Sequence, residues 1–240
     1  MRTNTHSDFI FSPITEVLKD AVTASSGIGN GIETFPLYDY VMQSTFLKAT
    51  GFQEQKMKCI CWEIATFDYE YRYEFTKTPL GECSSYSEKQ KIYRELINQL
   101  NKNGLVFSDI NIDKEAILRS AFSEISGIFS KSNLSIWAQR EFVNFEKLLV
   151  GINTNHFAND KGSLFSNPLL QEIYQNHLYR HRNRTAHNTS SYQQNLPTLA
   201  TLIKEEYKFE NYFVYFFLLS LIDKIFIALY NKYLELIDVN

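Results

Sequence analysis

The sequence predicts an all-α protein, and three observations carry that reading. Gly and Pro are scarce, nine and five in 240 residues, which leaves few places for tight turns and favours long regular elements with short joints. Apolar residues recur at helical steps through much of the chain, as at Ile117, Phe122, Ile125 and Phe129, the pattern of one buried helix face. Hydrophobic residues make up 44% of the chain, with nineteen Phe and fifteen Tyr, enough to fill a sizeable core. With no internal repeat and no low-complexity tract, residues 1–240 read as one domain.

The helices follow in order. Ser12 and Pro13 have the form of an N-cap followed by a residue preset for the first turn, opening PITEVLKDAVTA before the break at Ser25–Gly27. Gly27, Gly29 and Gly31 form a flexible connector; a phosphate loop would need a Lys-Ser/Thr ending that is absent here. From Pro36 to about Lys77 runs a dense aromatic pattern, with an interruption expected near Thr50 and Gly51. Within it, FDYEYRYEF alternates aromatics with charges as a half-buried strand would, yet Phe67, Tyr71 and Phe75 also lie at four-residue steps. No turn dipeptide and no partner strand flank it, so helix is the expectation.

Thr78, Pro79 and Gly81 end that element, and Ser85 with Glu88 three residues later forms a capping box for a helix closed by Gly104. Asp113 caps the next helix, and Asn133 caps one that stops at Gly151. The polar run 151–166 reads as a surface loop. Asn167 and Pro168 restart a helix that carries the chain to His187, and a connector from Asn188 to Asn211 follows, long enough to suggest function. The last helix, about Phe209 to Ile237, is nearly apolar on all sides through its first half and must be enclosed by its own bundle or a second subunit.

Composition sets limits on function. A net charge of −3 does not make the whole chain a nucleic-acid binder, so any basic site must be local. Cys59, Cys61 and Cys83 are odd in number, and the CxC pair is too close for an ordinary disulfide, which fits a reducing cytoplasm. The start MRTNTHSDFIF lacks an apolar stretch of signal-peptide length. The apolar run Tyr212–Ile222 is broken by Asp223 and Lys224, so a buried helix and no membrane association are expected.

A local basic site does exist. Between His177 and His187 lie Arg180, Arg182, Arg184 and a further histidine, His181. The plain explanation for the arginines is that cations gather where helix carbonyls carry partial negative charge. For His187 it is a helix cap, with Asn188 as a stop residue. His177 and His181, four apart, would face one way as metal ligands do. They lack a third ligand and a carboxylate base, and neighbouring arginines oppose a cation, so neither a metal nor a cofactor is expected.

The inner spacing is Arg182, Asn183, three residues, His187. This RNxxxH pattern, near the end of one helix and followed after a loop by a long apolar helix, resembles the R-x4-to-6-H signature of HEPN domains. The resemblance spans about 167–238 and implies a HEPN-like up-and-down helical bundle, with 1–166 supplying N-terminal helices of the same bundle or an extension. It further implies a metal-independent endoribonuclease, in a toxin or anti-phage defence setting, with RNA as substrate and an antitoxin or nucleotide as further partner. In that family two motifs commonly meet in a cleft between subunits. One motif here therefore implies a homodimer, with Asn183 orienting the arginine or touching the phosphate. The toxin branch whose members carry a modifiable Tyr two residues after the His is not matched, because Thr189 stands there and Tyr192 lies further on.

The chemistry fits the residue types. Histidine titrates near neutral pH and moves protons as a general acid or base, the role expected of His187. Arginine offers a planar fork that matches phosphate and stabilises charge on its oxygens, the role expected of Arg182. Arg180, Arg184 and His181 would hold neighbouring phosphates. On an unbroken helix Arg182 and His187 are splayed by about 140° and separated by about 7.5 Å along the axis. Convergence on one phosphate needs unwinding near Thr185 or a second copy. The alternatives are a non-catalytic module that holds RNA, a nucleotide or a partner, and an oligomerisation platform built on the aromatic helices. Glu63, Glu70, Arg72 and Glu74 read as a solvated face, or one carboxylate among them as the partner that orients an arginine.

Overall fold

The computed structural model describes residues 5–29, 31–78, 81–106, 112–130, 132–159, 162–187 and 209–237. Among these every regular element is helical, and the only extended pairing is an isolated bridge between Phe157 and Phe165. The all-α expectation holds.

The chain begins with α1 (Thr5–Phe11), which sequence reading did not foresee. Its successor α2 (Thr15–Ser25) starts two residues later than the Ser12-Pro13 signal suggested. The reason is a bond from far along the chain: the Ile14 N–H donates to Asp223 Oδ2 at 2.9 Å, whereas Ser12 Oγ turns back to donate to the Phe9 carbonyl at 2.7 Å. A partner from the last helix does the capping.

A 3-10 turn (Ile32–Thr34) leads into α3 (Phe35–Phe67), 33 residues without interruption. The break expected at Thr50–Gly51 is absent. Glycine inside a helix costs only about 1 kcal/mol, and here the flanking Ala49, Thr50 and Gln53 are buried, with Gln53 Nε2 donating to the Leu219 carbonyl at 2.8 Å. Packing outweighs propensity. The real break is Asp68, which turns extended and accepts from the Tyr71 N–H at 2.9 Å to cap α4 (Tyr69–Lys77). The alternating FDYEYRYEF stretch is thus helical, split by a cap, with Tyr69 and Tyr73 exposed and Tyr71 and Phe75 half-buried against the core.

The turn before α5 (Tyr86–Lys102) carries the full capping box: the Glu88 N–H donates to Ser85 Oγ, and the Ser85 N–H to the Glu88 carboxylate at 3.0 Å. Gly104, at φ +88, ends the helix in the left-handed region, and the Leu105 N–H donates back to the Leu100 carbonyl. Ser85→Ala is expected to cost about 0.5–2 kcal/mol in urea unfolding. A loss below the detectable range would mean that this cap contributes nothing to stability.

Asp113 caps α6 (Lys114–Phe129), accepting from the Ala116 N–H at 2.8 Å, as its position indicated. The single helix expected to follow an Asn133 cap is instead two, α7 (Asn133–Trp137) and α8 (Gln139–Leu149), separated at Ala138. Ser132 provides the cap, and the Asn133 side chain reaches across to the Ile28 carbonyl. Residues 151–166 are not simply a surface loop. Phe157, Ala158, Leu164 and Phe165 are fully buried. Gln90 of α5 holds the segment from inside, accepting from the Leu164 N–H at 2.8 Å and donating to the Gly162 carbonyl at 2.6 Å.

Asn167 caps α9 (Pro168–Glu172) as expected, its side chain accepting from the Leu169 N–H at 2.7 Å. A seven-residue π-helical segment (Ile173–Tyr179) follows, then α10 (Arg180–Ala186). The connector expected at 188–211 lies outside the described residues up to 208. The closing helix, α11 (Tyr212–Ile237), is the axis of the bundle and packs on α3, α5, α6 and α8. By length and composition it could cross a membrane, but 78% of its most apolar stretch is buried inside the protein. Phe129, Phe142, Phe145, Phe213 and Phe216 form one aromatic cluster around its first turns. At its middle, buried Asp223 meets Lys56 of α3, Oδ1 to Nζ at 2.6 Å.

Candidate functional site

The basic stretch lies along the outer end of the α9–π–α10 arm, which packs on α3 and on the start of α11. π turns close i→i+5 bonds and often accompany functional positions. In this one Ile173, Tyr174 and Leu178 point into the core. The following α10 then presents Arg180 and Arg184 to solvent and turns Arg182 toward α3.

Arg182 is held from two sides. Its Nε and Nη2 donate to the two carboxylate oxygens of Glu54 on α3, at 3.2 and 3.0 Å, and its Nη1 donates to Asn183 Oδ1 at 3.2 Å. The Arg182 side chain is 20% exposed and that of Glu54 12%. A bidentate pair in such partial burial fixes both position and plane of the guanidinium. Three of its five N–H groups are committed in this way. Among the described residues that leaves one on each terminal nitrogen for a ligand oxygen.

Helix α10 does not unwind near Thr185, whose hydroxyl donates to the His181 carbonyl at 2.9 Å. His187 is the exposed C-cap, its N–H donating to the Asn183 carbonyl at 3.1 Å. Helical geometry thus keeps Arg182 and His187 of one chain on different faces, splayed by about 140°.

His181 sits apart from the solvent-facing arginines. Its ring lies against Phe46, Tyr212 and Tyr215, at centroid distances of 5.3, 5.2 and 5.7 Å, with Nε2 3.0 Å from the Tyr212 hydroxyl. Burial, the main cause, lowers its pKa and favours the neutral ring. His177 makes a separate contact, Nδ1 to Glu210 Oε1 at 3.1 Å, and Glu210 also accepts from the Tyr215 hydroxyl at 2.9 Å. Burial alone would raise the Glu210 pKa, but these two bonds bring it below the usual carboxylate value. The two histidines therefore engage different partners, and among the described residues no group of three metal-type side chains converges.

Sequence reasoning missed Glu54. The carboxylates considered as partners for an arginine are committed elsewhere: Glu63 to His6 at 2.9 Å, Glu70 to Lys102 at 3.2 Å and Glu74 to Lys77 at 3.7 Å. Arg72 lies over the Tyr69 ring. Nothing in the FQEQKMK context marks Glu54, because its partner lies 128 positions away. Thr189 and Tyr192 lie outside the described residues. Comparison of the chain with models of protein families, with curated proteins and with solved structures finds no match.

Proposed function

We propose that the protein is a HEPN-like, metal-independent endoribonuclease acting on RNA at a composite site formed by two copies of the chain, in a cytoplasmic toxin or anti-phage defence role. The observation that supports this most is the clamping of Arg182 by Glu54 and Asn183, with N–H groups that no other described residue takes up left for a phosphate. A donor fixed before substrate arrives needs no reorganisation when charge builds on the phosphorus oxygens.

His187, exposed at the helix end, moves the proton that leaves the 2′-hydroxyl as that oxygen attacks phosphorus, or delivers one to the departing 5′ oxygen. Because Arg182 and His187 of one chain face apart, the site is completed by His187 of a second copy. Arg180 and Arg184 hold flanking phosphates, which makes binding salt-dependent. The inward position of His181, against Phe46, Tyr212 and Tyr215, gives it a packing role in place of the phosphate contact expected of it.

The test is cleavage of structured and single-stranded RNA in EDTA by wild type, His187→Ala and Arg182→Ala. Wild type is expected to cut, and His187→Ala to lose about 10²–10⁴-fold. Equal activity in all three proteins sinks the proposal. A second reading, a module that binds RNA or a nucleotide without turnover, is favoured by the same separation of the two side chains. In that case Arg182→Ala weakens binding and no condition yields cut product.

A further inference from the structure

We propose that the cavity between the end of α8 and the start of α9 is a binding site for a small carboxylic acid with an apolar chain. The cavity is lined by none of the residues of the Arg182 clamp, so the inference does not depend on how that clamp is read.

The cavity has a volume of about 420 Å³. Small-molecule sites occupy about 300–1,000 Å³ and combine a mostly apolar lining with a few placed polar groups. Local sequence builds both walls. Asn144, Lys147 and Leu148 fall at steps of three and four on one face of α8, and the chain that follows adds Ile152. The other wall is the root of the basic arm, where Asn167, Leu169 and Leu170 begin α9.

Apolar and polar members of the lining have separate roles. Ile152 and Leu170 are buried, and Leu148 and Leu169 are half-buried against the core, so together they form a surface suited to a hydrocarbon chain. Each of the three polar members can donate. Asn167 spends its Oδ1 on the Leu169 N–H, at 2.7 Å, which leaves its amide N–H groups facing no acceptor among the described residues. The Asn144 amide and the Lys147 ammonium likewise have no partner there. No acid lines the cavity among the described residues.

Donors and one positive charge beside an apolar lining select an anionic head on an apolar chain. A single lysine balances a single negative charge, which suits a carboxylate. Lys147 is exposed, so the carboxylate sits at the mouth and keeps part of its water while the chain fills the interior. A neutral hydrocarbon would leave the donors unused, and a short anion would leave the apolar lining wet.

The experiment titrates the 240-residue chain with octanoate by calorimetry, alongside octanol, which keeps the chain and lacks the charge, and acetate, which keeps the charge and lacks the chain. Octanoate is expected to saturate one site per chain. Octanol should bind roughly three- to tenfold more weakly, the difference a screened charge-assisted contact makes, and acetate should show no saturation. Lys147→Gln should bring octanoate down to the octanol level and leave octanol unchanged. A lysine that only complements the last carbonyls of α8 would leave octanoate binding unaltered. Leu148→Trp, which fills the cavity from a half-buried position, should abolish binding of both. The side-chain amide NMR signals of Asn144 and Asn167 should shift with octanoate. The proposal is overturned by absent saturation, by equal affinity for octanoate and octanol, by full affinity in Lys147→Gln, or by shifts confined to other residues. Each of these outcomes stands even if Leu148→Trp fails to fold.

Discussion

Asp223→Ala is expected to destabilise the fold by about 3–5 kcal/mol, the usual consequence of leaving one member of a buried ion pair alone. Lys56 and Asp223 are 0% and 1% exposed in their side chains. The pair is also a junction. Asp223 Oδ2 accepts the Ile14 N–H at 2.9 Å, and Lys56 Nζ donates to the Ser12 carbonyl at 2.6 Å as well as to Asp223. One substitution therefore loosens α3, α11 and the α1–α2 bend together. Burial raises the pKa of Asp223 and lowers that of Lys56, each only partly opposed by the other's charge, so desolvation weighs on both ions. The double variant Lys56→Met with Asp223→Leu removes both desolvated ions and should recover part of the loss, the remainder being the unpaired Ile14 N–H and Ser12 carbonyl. Urea unfolding of the single and double variants checks this. A single-variant loss under about 1 kcal/mol would put the pair among interactions that contribute like surface salt bridges.

On the proposed endoribonuclease reading, Arg182→Lys is expected to lower RNA cleavage by about 10²–10³-fold, comparable to removing one preorganised donor from a transition-state site. Charge is conserved in this change but geometry is not. The guanidinium satisfies Glu54 with Nε and Nη2 and Asn183 with Nη1, and among the described residues still retains an N–H on each terminal nitrogen. An ammonium is a point charge with three donors, and Glu54 would capture it. Glu54→Gln separates the two contributions: the side-on contact loses its charge, Arg182 gains mobility, and activity should fall less than in Arg182→Lys. Both are read as kcat/KM, with circular dichroism to show the fold retained. Wild-type activity in Arg182→Lys would remove the arginine from the reaction.

What could be read from the sequence was local in the chain. Ser85 with Glu88, Asp113, Asn167 and Gly104 act within a turn of themselves, so their roles are written in adjacent residues. What could not be read depended on distant partners. Gly51 passes through a helix because Gln53 finds Leu219, and α2 begins where Asp223 dictates. The polar stretch 151–166 is drawn inward by Gln90 and by the buried Phe157, Ala158, Leu164 and Phe165. The site follows the same division. Its arginine, asparagine and histidine lie within six residues and are visible in the sequence, whereas Glu54, which holds the arginine in place, comes from another helix. The π turns were hidden for a different reason: the i→i+5 pattern over Ile173–Tyr179 is fixed by what the arm packs against, not by propensity.

Helix α11 has a bearing on biosynthesis. It supplies the surface on which α3, α5, α6 and α8 close, and it follows all of them in the chain. Until residue 237 has cleared the ribosome, the faces of those earlier helices that pack on α11 lack that cover, even where the helices already pack on one another, as α2 does on α3 and α6. Completion of this architecture therefore waits until α11 has emerged, and over that interval the uncovered apolar surface is open to aggregation.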